Sequence, residues 1–409
     1  MNHDNREWGE RLVRLVLAID EHLPGYVDAY FGPEGWRTEA KEAGKMPLSD
    51  LARQTEQLAS DLSQAGDLDA QRSEYLVSHV TAMQMSLRLL QGEHISLEDE
   101  VEAVYDVRPV WKDESNFEEA HRLLDEVLPG AGSLRERTLE WERSLEISIE
   151  KVKEILPVLI RKLRRLTHEK FGLPEGENFT VEFVSNQPWT AYNWYLGNFQ
   201  SRIDLNTDMP SRISFLPALL AHEGYPGHHT DLCIKEKLLV QQSGFHEFTV
   251  NLLNTPSALM AEGIATTALK ALLTDEELEA WFREELLPAA GMKHIDPKRI
   301  FAIGKAGRKM NSIDGNAAFM LHDQHRSEEE IRQYLLTYGL VIEQEAKQTI
   351  DFISNPLYRS YVFTYHMGYE LLEELFQHVD RRTYFQRMLQ EPVTPGIVRQ
   401  WISDVTTQK

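Results

Sequence analysis

The chain has 409 residues, with 43 Lys or Arg against 65 Asp or Glu and a formal net charge of −22. That length can bury a large core, and the acidic balance argues against a nucleic-acid or anionic-membrane partner, which would need a basic face. Cys233 is the only cysteine, so an internal disulfide and a thiolate zinc cluster are both ruled out.

Helical periodicity dominates the chain. Residues 8–23 set Trp8, Leu12, Leu15, Val16 and Ile19 at helical spacing, and a second stripe from 73 to 91 carries Tyr75, Leu76, His79, Val80, Met83 and Leu87. The longest pattern runs from Leu134 to Leu166, where Pro157 is expected to kink or divide the helix. Turn signals at Leu23-Pro24-Gly25 and Leu128-Pro129-Gly130 separate these units. Residues 178–206 depart from helix: Asn178–Val184 alternates with period two, and Tyr192–Tyr195 and Phe199–Leu205 read as two more short strands. Helices return at roughly 229–243, 257–273, 275–287, 327–338, 340–353, 358–377 and 395–404, with Thr274 and Ser327 as capped starts. The expected fold class is mainly α with a small β element. It divides into an N-terminal helical lobe (1–175) and a catalytic helical lobe with the small sheet (176–409), or forms one continuous domain with a central cleft. No apolar run reaches 18 residues and no cleavable leader is seen, so the expectation is a cytoplasmic protein without a membrane span.

The chemistry-bearing segment is His222-Glu-Gly-Tyr-Pro-Gly-His-His229. In H-E-x-x-H the two imidazoles lie one helical turn apart and share a zinc ion. Here an unbroken helix would turn the ring at i+6 about 120° away from His222. It would also carry the ring at i+7 about 10.5 Å along the axis. Neither fits zinc–nitrogen bonds of about 2.1 Å. Pro226 and Gly227 can break the helix, and removing them on paper restores the standard spacing. The expectation is a metal helix with a two-residue bulge; the alternative is a helix end with histidines near a Pro-Gly turn. Glu262 is the best third ligand, being a lone acid in the apolar stretch Ser257–Ala265. Otherwise it is a solvent-facing acid. Glu223 then becomes the general base. A sheet edge beside the metal helix would let an extended peptide add as a strand; an ordinary three-stranded cap is the equal alternative. Cys233 reads as a buried structural thiol. One Glu-x-x-His copy, Glu118 to His121, is too few for a di-iron bundle, and no G-x-S-x-G is present.

The octapeptide, followed downstream by Ala261-Glu262-Gly263, resembles the bacterial family known as domain of unknown function 885. Its members carry H-E-x-x-P-G-H-H and then a helix of the type E-G-W-A-L-Y. That family is similar in turn to Taq-type metallocarboxypeptidases and other helical zincins. The resemblance spans about residues 180–375, and Ile264 stands where the family tends to have Trp. It implies a zincin-like helical metallopeptidase fold with a small antiparallel sheet beside the metal helix, and Zn2+ as cofactor. Gly227-His228 matches the Gly-His of the Taq-type second ligand, so the implied ligands are His222, His228 and Glu262. His229 is left behind the site or against substrate. His322 and Tyr365 resemble family residues that could hydrogen-bond an oxyanion; their ordinary readings are a helix-end and a core residue. Arg359 and Arg308 are candidates for a substrate carboxylate. The implied function is a zinc-dependent, carboxypeptidase-like hydrolase of a peptide or small amide. The alternative is a non-catalytic metal-binding or peptide-binding helical protein.

Overall fold

The first apolar stripe folds as α1 (Asp4–Asp20), which buries Leu12, Val13, Val16 and Ile19. The structure is a computed structural model that describes residues 4–407 other than 67 and 188. Strand β1 (Val27–Tyr30) follows, then α2 (Glu34–Ala43), α3 (Leu48–Gln64) and α4 (Ala70–Leu90). The buried faces of α1, α3 and α4 close a first core, into which Val250 and Leu252 also reach.

Helices α5 (Leu97–Tyr105), α6 (Glu114–Val127) and α7 (Leu134–Ser144), strand β2 (Glu146–Ile147) and helix α8 (Ile149–Phe171) come next. Here the helix expected over 134–166 divides, but not at Pro157. The break is at Leu145–Ser148, where the Ser148 side chain accepts the Lys151 N–H and starts α8 afresh. Pro157 sits inside α8 because it and Lys153, whose carbonyl it leaves without a helical donor, both lie on the exposed face. Residues of α5 to α8 belong to a second, larger core that runs from Met85 to Trp401.

Strands β3 (Asn178–Val184), β4 (Ala191–Gly197) and β5 (Gln200–Asn206) form the three-stranded sheet, in the order β3-β5-β4. The β4–β5 pair is an antiparallel hairpin turned at Asn198-Phe199, both with positive φ (52° and 61°). The β3–β5 pair runs parallel, so β4 is the edge strand on the other side. Strand β6 (Ser211–Arg212) pairs with β2. Next come α9 (Leu216–Glu223), α10 (His228–Lys235) and β7 (Val250–Leu252), which pairs antiparallel with β1 and places its buried residues in the first core.

The remaining helices are α11 (Pro256–Leu272), α12 (Asp275–Trp281), α13 (Leu287–Ala289), α14 (Pro297–Gly307), α15 (Ile313–His322), α16 (Glu328–Tyr338), α17 (Glu343–Ser354), α18 (Thr364–Phe376), α19 (Arg381–Gln390) and α20 (Pro395–Thr407). Thr274 and Ser327 form the expected capping boxes. Helices α11 and α18 cross at Gly263 and Gly368. A Cβ on Gly263 would stand 2.9 Å from the Gly368 carbonyl oxygen, and one on Gly368 would stand 2.5 Å from that of Leu259. Only glycine lets the two backbones approach this closely. The fold is mainly α with small sheets, and among the described residues no helix is long and apolar enough to cross a membrane.

Candidate metal centre

Helix α9 ends at Glu223 and α10 begins at His228, so the octapeptide is two helices joined by Gly224-Tyr225-Pro226-Gly227. The link is not a small bulge inside a continuous helix, yet its hydrogen bonds count out two extra residues. Gly227 N–H donates to the Ala221 carbonyl at 2.8 Å and Thr230 N–H to that of Gly224 at 3.3 Å, each six residues back instead of four. A Cβ on Gly227 would lie 1.9 Å from the His222 carbonyl oxygen, so this position admits only glycine. The junction returns His228 to the side of His222, with their Nε2 atoms 3.1 Å apart.

Glu262 comes from the middle of α11, where it is 5% exposed. Its Oε1 accepts the Tyr361 hydroxyl at 2.7 Å and lies 3.7 Å from His228 Nε2, while Oε2 lies 3.4 Å from His222 Nε2. One ligand atom from each of His222, His228 and Glu262 lies within 4.8 Å of the others. Four ligands at about 2.0–2.1 Å from a tetrahedral zinc stand about 3.3–3.4 Å apart. The His222–His228 and His222–Oε2 spacings, 3.1 and 3.4 Å, lie near that edge, while His228 stands 3.7 Å from the other carboxylate oxygen.

The polar atoms fit a cation as well as the spacing does. Glu262 Oε2 is buried without a hydrogen-bond partner. His222 Nε2, at 3.4 Å, is at the limit of a hydrogen bond and already faces His228. Burial would raise Glu262, but His222, His228 and the Tyr361 hydroxyl together hold it down at about 2. Burial and the charge on His222 push His228 down to about 4. A carboxylate and a neutral imidazole are the ligand forms that a divalent metal requires, and Glu262 and His228 are held in them. Burial would lower His222, but Glu262 and Glu223 raise it, so His222 would release its proton when a metal binds.

Glu223 is buried beside the group, its Oε1 4.0 Å from His222 Nε2. Asn193 of β4 holds its backbone carbonyl with a 2.7 Å hydrogen bond. Burial lifts its carboxyl to about 7, against the pull of His222 and with help from Glu262 and Asp28. Tyr365 is 44% exposed, yet loss of bulk water and the charges of Glu262 and Glu223 raise its phenol well above the ordinary value. Its phenol therefore stays protonated.

Four expected site residues are engaged elsewhere. His229 is fully buried, with Nδ1 2.8 Å from Ser201 Oγ and Nε2 3.1 Å from Glu177 Oε2. Neither nitrogen is left for a metal, and no surface is left for substrate. Arg359 gives its guanidinium to Glu100, a buried carboxylate that would otherwise be uncompensated. His322, at the end of α15, donates from Nε2 to the Ile353 carbonyl at 2.7 Å and ties that end to α17, so this N–H cannot serve an oxyanion. Arg308 reaches the Tyr369 hydroxyl. Cys233 is buried as expected, and burial raises its thiol.

Sequence reasoning missed Tyr361 and Asp28. Tyr361 lies in the short 3-10 turn before α18, four residues before Tyr365, and the two rings meet edge to face with centroids 5.6 Å apart. Asp28 of β1 takes hydrogen bonds from Tyr192 and Asn251 and acts on Glu223 through its charge. It arrives from a strand about 200 residues away in the chain, which no local pattern announces.

No family model matches the chain, and no curated protein matches it. Among solved structures, a protein provisionally described as a lipoprotein from Colwellia psychrerythraea aligns with TM-score 0.51 and 13% identity, over 88% of this chain and 67% of that one. A provisionally described lipoprotein of unknown function from Shewanella oneidensis gives TM-score 0.48 and 12% identity over 91% and 76%. A structure described as BsuCP gives 0.49 and 11% over 99% and 96%. The first is a likeness of fold alone; the functional argument rests on the residues.

Proposed function

We propose that the chain is a zinc-dependent hydrolase of a peptide or small amide, with His222, His228 and Glu262 as ligands and Glu223 as base. The observation that carries this reading is the buried Glu262 carboxylate, one oxygen without a hydrogen-bond partner, facing two imidazoles that meet nitrogen to nitrogen. A zinc ion held there would supply Lewis acidity, polarising a carbonyl and easing the loss of a proton from water. Glu223, lifted to about 7, can take that proton near neutral pH and pass it to the leaving amine. Tyr365 keeps its phenolic proton and can donate to the developing oxyanion.

Carboxypeptidase-like trimming is the narrower form of the proposal. It needs a cation for the chain end, and of the two residues expected to supply one, Arg359 is paired with Glu100 and Arg308 donates to the Tyr369 hydroxyl. The substrate is therefore given as a peptide or small amide, with no nucleic acid and no membrane as partner. The acidic composition and the lone buried thiol support a cytoplasmic setting. The test is metal content of the purified chain together with a peptide-library screen, run with and without a chelator. Stoichiometric zinc and chelator-sensitive cleavage are expected. Zinc without cleavage anywhere in the library would favour a non-catalytic metal-binding or peptide-binding protein.

A further inference from the structure

Helices α9 and α10 each carry one imidazole of the metal group, and four residues with no continuous helical ladder join them. A ligand set must be held to within about 0.5 Å to bind well, so something beyond the junction has to set the pose of α10 against α9. One side chain of the junction and one from the start of α10 meet on a single atom. The Tyr225 hydroxyl donates to Glu177 Oε2 at 2.6 Å, and His229 Nε2 lies 3.1 Å from the same oxygen. Tyr225 belongs to the link, and His229 to the first turn of α10, next in sequence to His228. The other oxygen, Oε1, is 2.6 Å from Nη2 of Arg164 on α8, whose side chain is half exposed.

The surroundings keep this meeting point rigid. Glu177 is buried just before β3. Phe179 of β3 packs on Tyr225 and His229, with ring centroids 4.9 and 5.2 Å away. Ser201 of β5 holds the second nitrogen of His229 at 2.8 Å. With both nitrogens gripped, the His229 ring cannot turn without moving the first turn of α10, and His228 moves with that turn.

We propose that Glu177 is a positioning residue for the metal centre: through Tyr225 and His229 it fixes the angle between α9 and α10, and with it the His222–His228 spacing that receives a divalent cation. This rests on the metal reading above and adds the part that sets ligand geometry from outside the ligand set. Both adjacent histidines then have work, His228 toward the metal and His229 toward the sheet.

The test uses the full chain, stripped with a chelator and titrated with zinc against a chromophoric competitor, and with cobalt for its visible spectrum. Three variants carry it: Glu177→Ala, Tyr225→Phe, which keeps the ring against Phe179, and Glu177→Gln, which keeps an acceptor oxygen at the meeting point. Glu177→Ala should raise the zinc Kd about tenfold to a hundredfold and shift the cobalt bands. Tyr225→Phe should move both in the same direction by less, and Glu177→Gln should recover most of the affinity. A merely structural Glu177 would lower the thermal midpoint of the metal-free protein and leave zinc affinity and cobalt spectrum of the folded protein unchanged. That result in Tyr225→Phe and in Glu177→Ala overturns the inference, and Tyr225→Phe decides alone should Glu177→Ala fail to fold. Wild-type chain that takes up no zinc overturns the metal reading itself, and this inference falls with it.

Discussion

Two buried carboxylates, Glu247 and Glu262, lie fifteen residues apart in the chain and are answered in opposite ways. Glu247 receives Arg72 on both oxygens, Nε to Oε1 at 2.6 Å and Nη2 to Oε2 at 3.1 Å, and neither side chain is more than 2% exposed. The guanidinium also lies over Phe245, 3.9 Å from the ring centroid. Glu262 receives one hydroxyl, and its second oxygen faces an imidazole nitrogen at 3.4 Å that is already turned to another imidazole. A carboxylate matched donor for donor within the chain joins two elements, here α4 and the segment leading to β7. One matched by a single hydroxyl, with two imidazoles facing it, keeps an oxygen without a hydrogen-bond partner, and it is this oxygen that the proposed metal would take.

The largest effect that could break this contrast is on turnover. Glu223→Gln should lower kcat by about 10²- to 10⁴-fold while zinc content stays stoichiometric, because Glu223 lies outside the three-residue group. Full turnover by the purified variant would remove Glu223 as the base. On the other side of the contrast, Arg72→Met strands Glu247 as an unpaired buried charge. The cost should be about 3–5 kcal/mol, read from the urea midpoint, with zinc bound per folded chain unchanged. Zinc loss in that variant would mean that the two regions are not separable.

Metal removal sharpens the comparison with a smaller effect. At a hundredfold excess over Kd, zinc should add about 2.7 kcal/mol to wild-type stability. The gain should vanish in Glu262→Gln and persist in Arg72→Met. Equal zinc stabilisation of wild type and Glu262→Gln would show that the ion sits elsewhere.

The contrast also marks what the sequence could carry. His222, Glu223, His228 and the need for a break were readable because they lie within eight residues and helical geometry makes the spacing impossible otherwise. Glu262 was readable by contrast with its apolar neighbours. Arg359 and His322 misled because a charged or imidazole side chain has no local mark of its partner. Theirs are Glu100, 259 residues away, and the Ile353 carbonyl, 31 residues away. Glu177 was invisible for the same reason, being 48 residues from Tyr225 and 52 from His229. Long helices were legible from periodicity, but the division at Leu145–Ser148 was masked by an apolar pattern that continues across it while Pro157 offered a more obvious breaker.

The smallest effect concerns the imidazole that belongs to the satisfied side of the comparison. His79 is buried in α4, stacked on Tyr75 at 4.0 Å, with Nδ1 2.7 Å from the Tyr75 carbonyl and Nε2 2.9 Å from Ser257 Oγ. Burial pushes it down to about 4, although the hydrogen bond to the Tyr75 carbonyl pulls the other way. In the unfolded chain an imidazole titrates near about 6.5, so on acidification the unfolded state takes up the proton first. Neutral His79 therefore contributes its full share of stability above about pH 6.5 and loses it as pH falls toward about 4. Within that window stability should drop by up to about 1.4 kcal/mol for each pH unit on account of this one proton. His79→Gln should flatten the dependence by that amount, measured as urea midpoints between about pH 5 and pH 7 with a chelator present so that zinc binding adds nothing. Identical slopes for variant and wild type would mean that His79 is not held neutral by burial. A satisfied hydrogen-bond partnership would then not be enough to tell a structural histidine from a metal-seeking one in this fold.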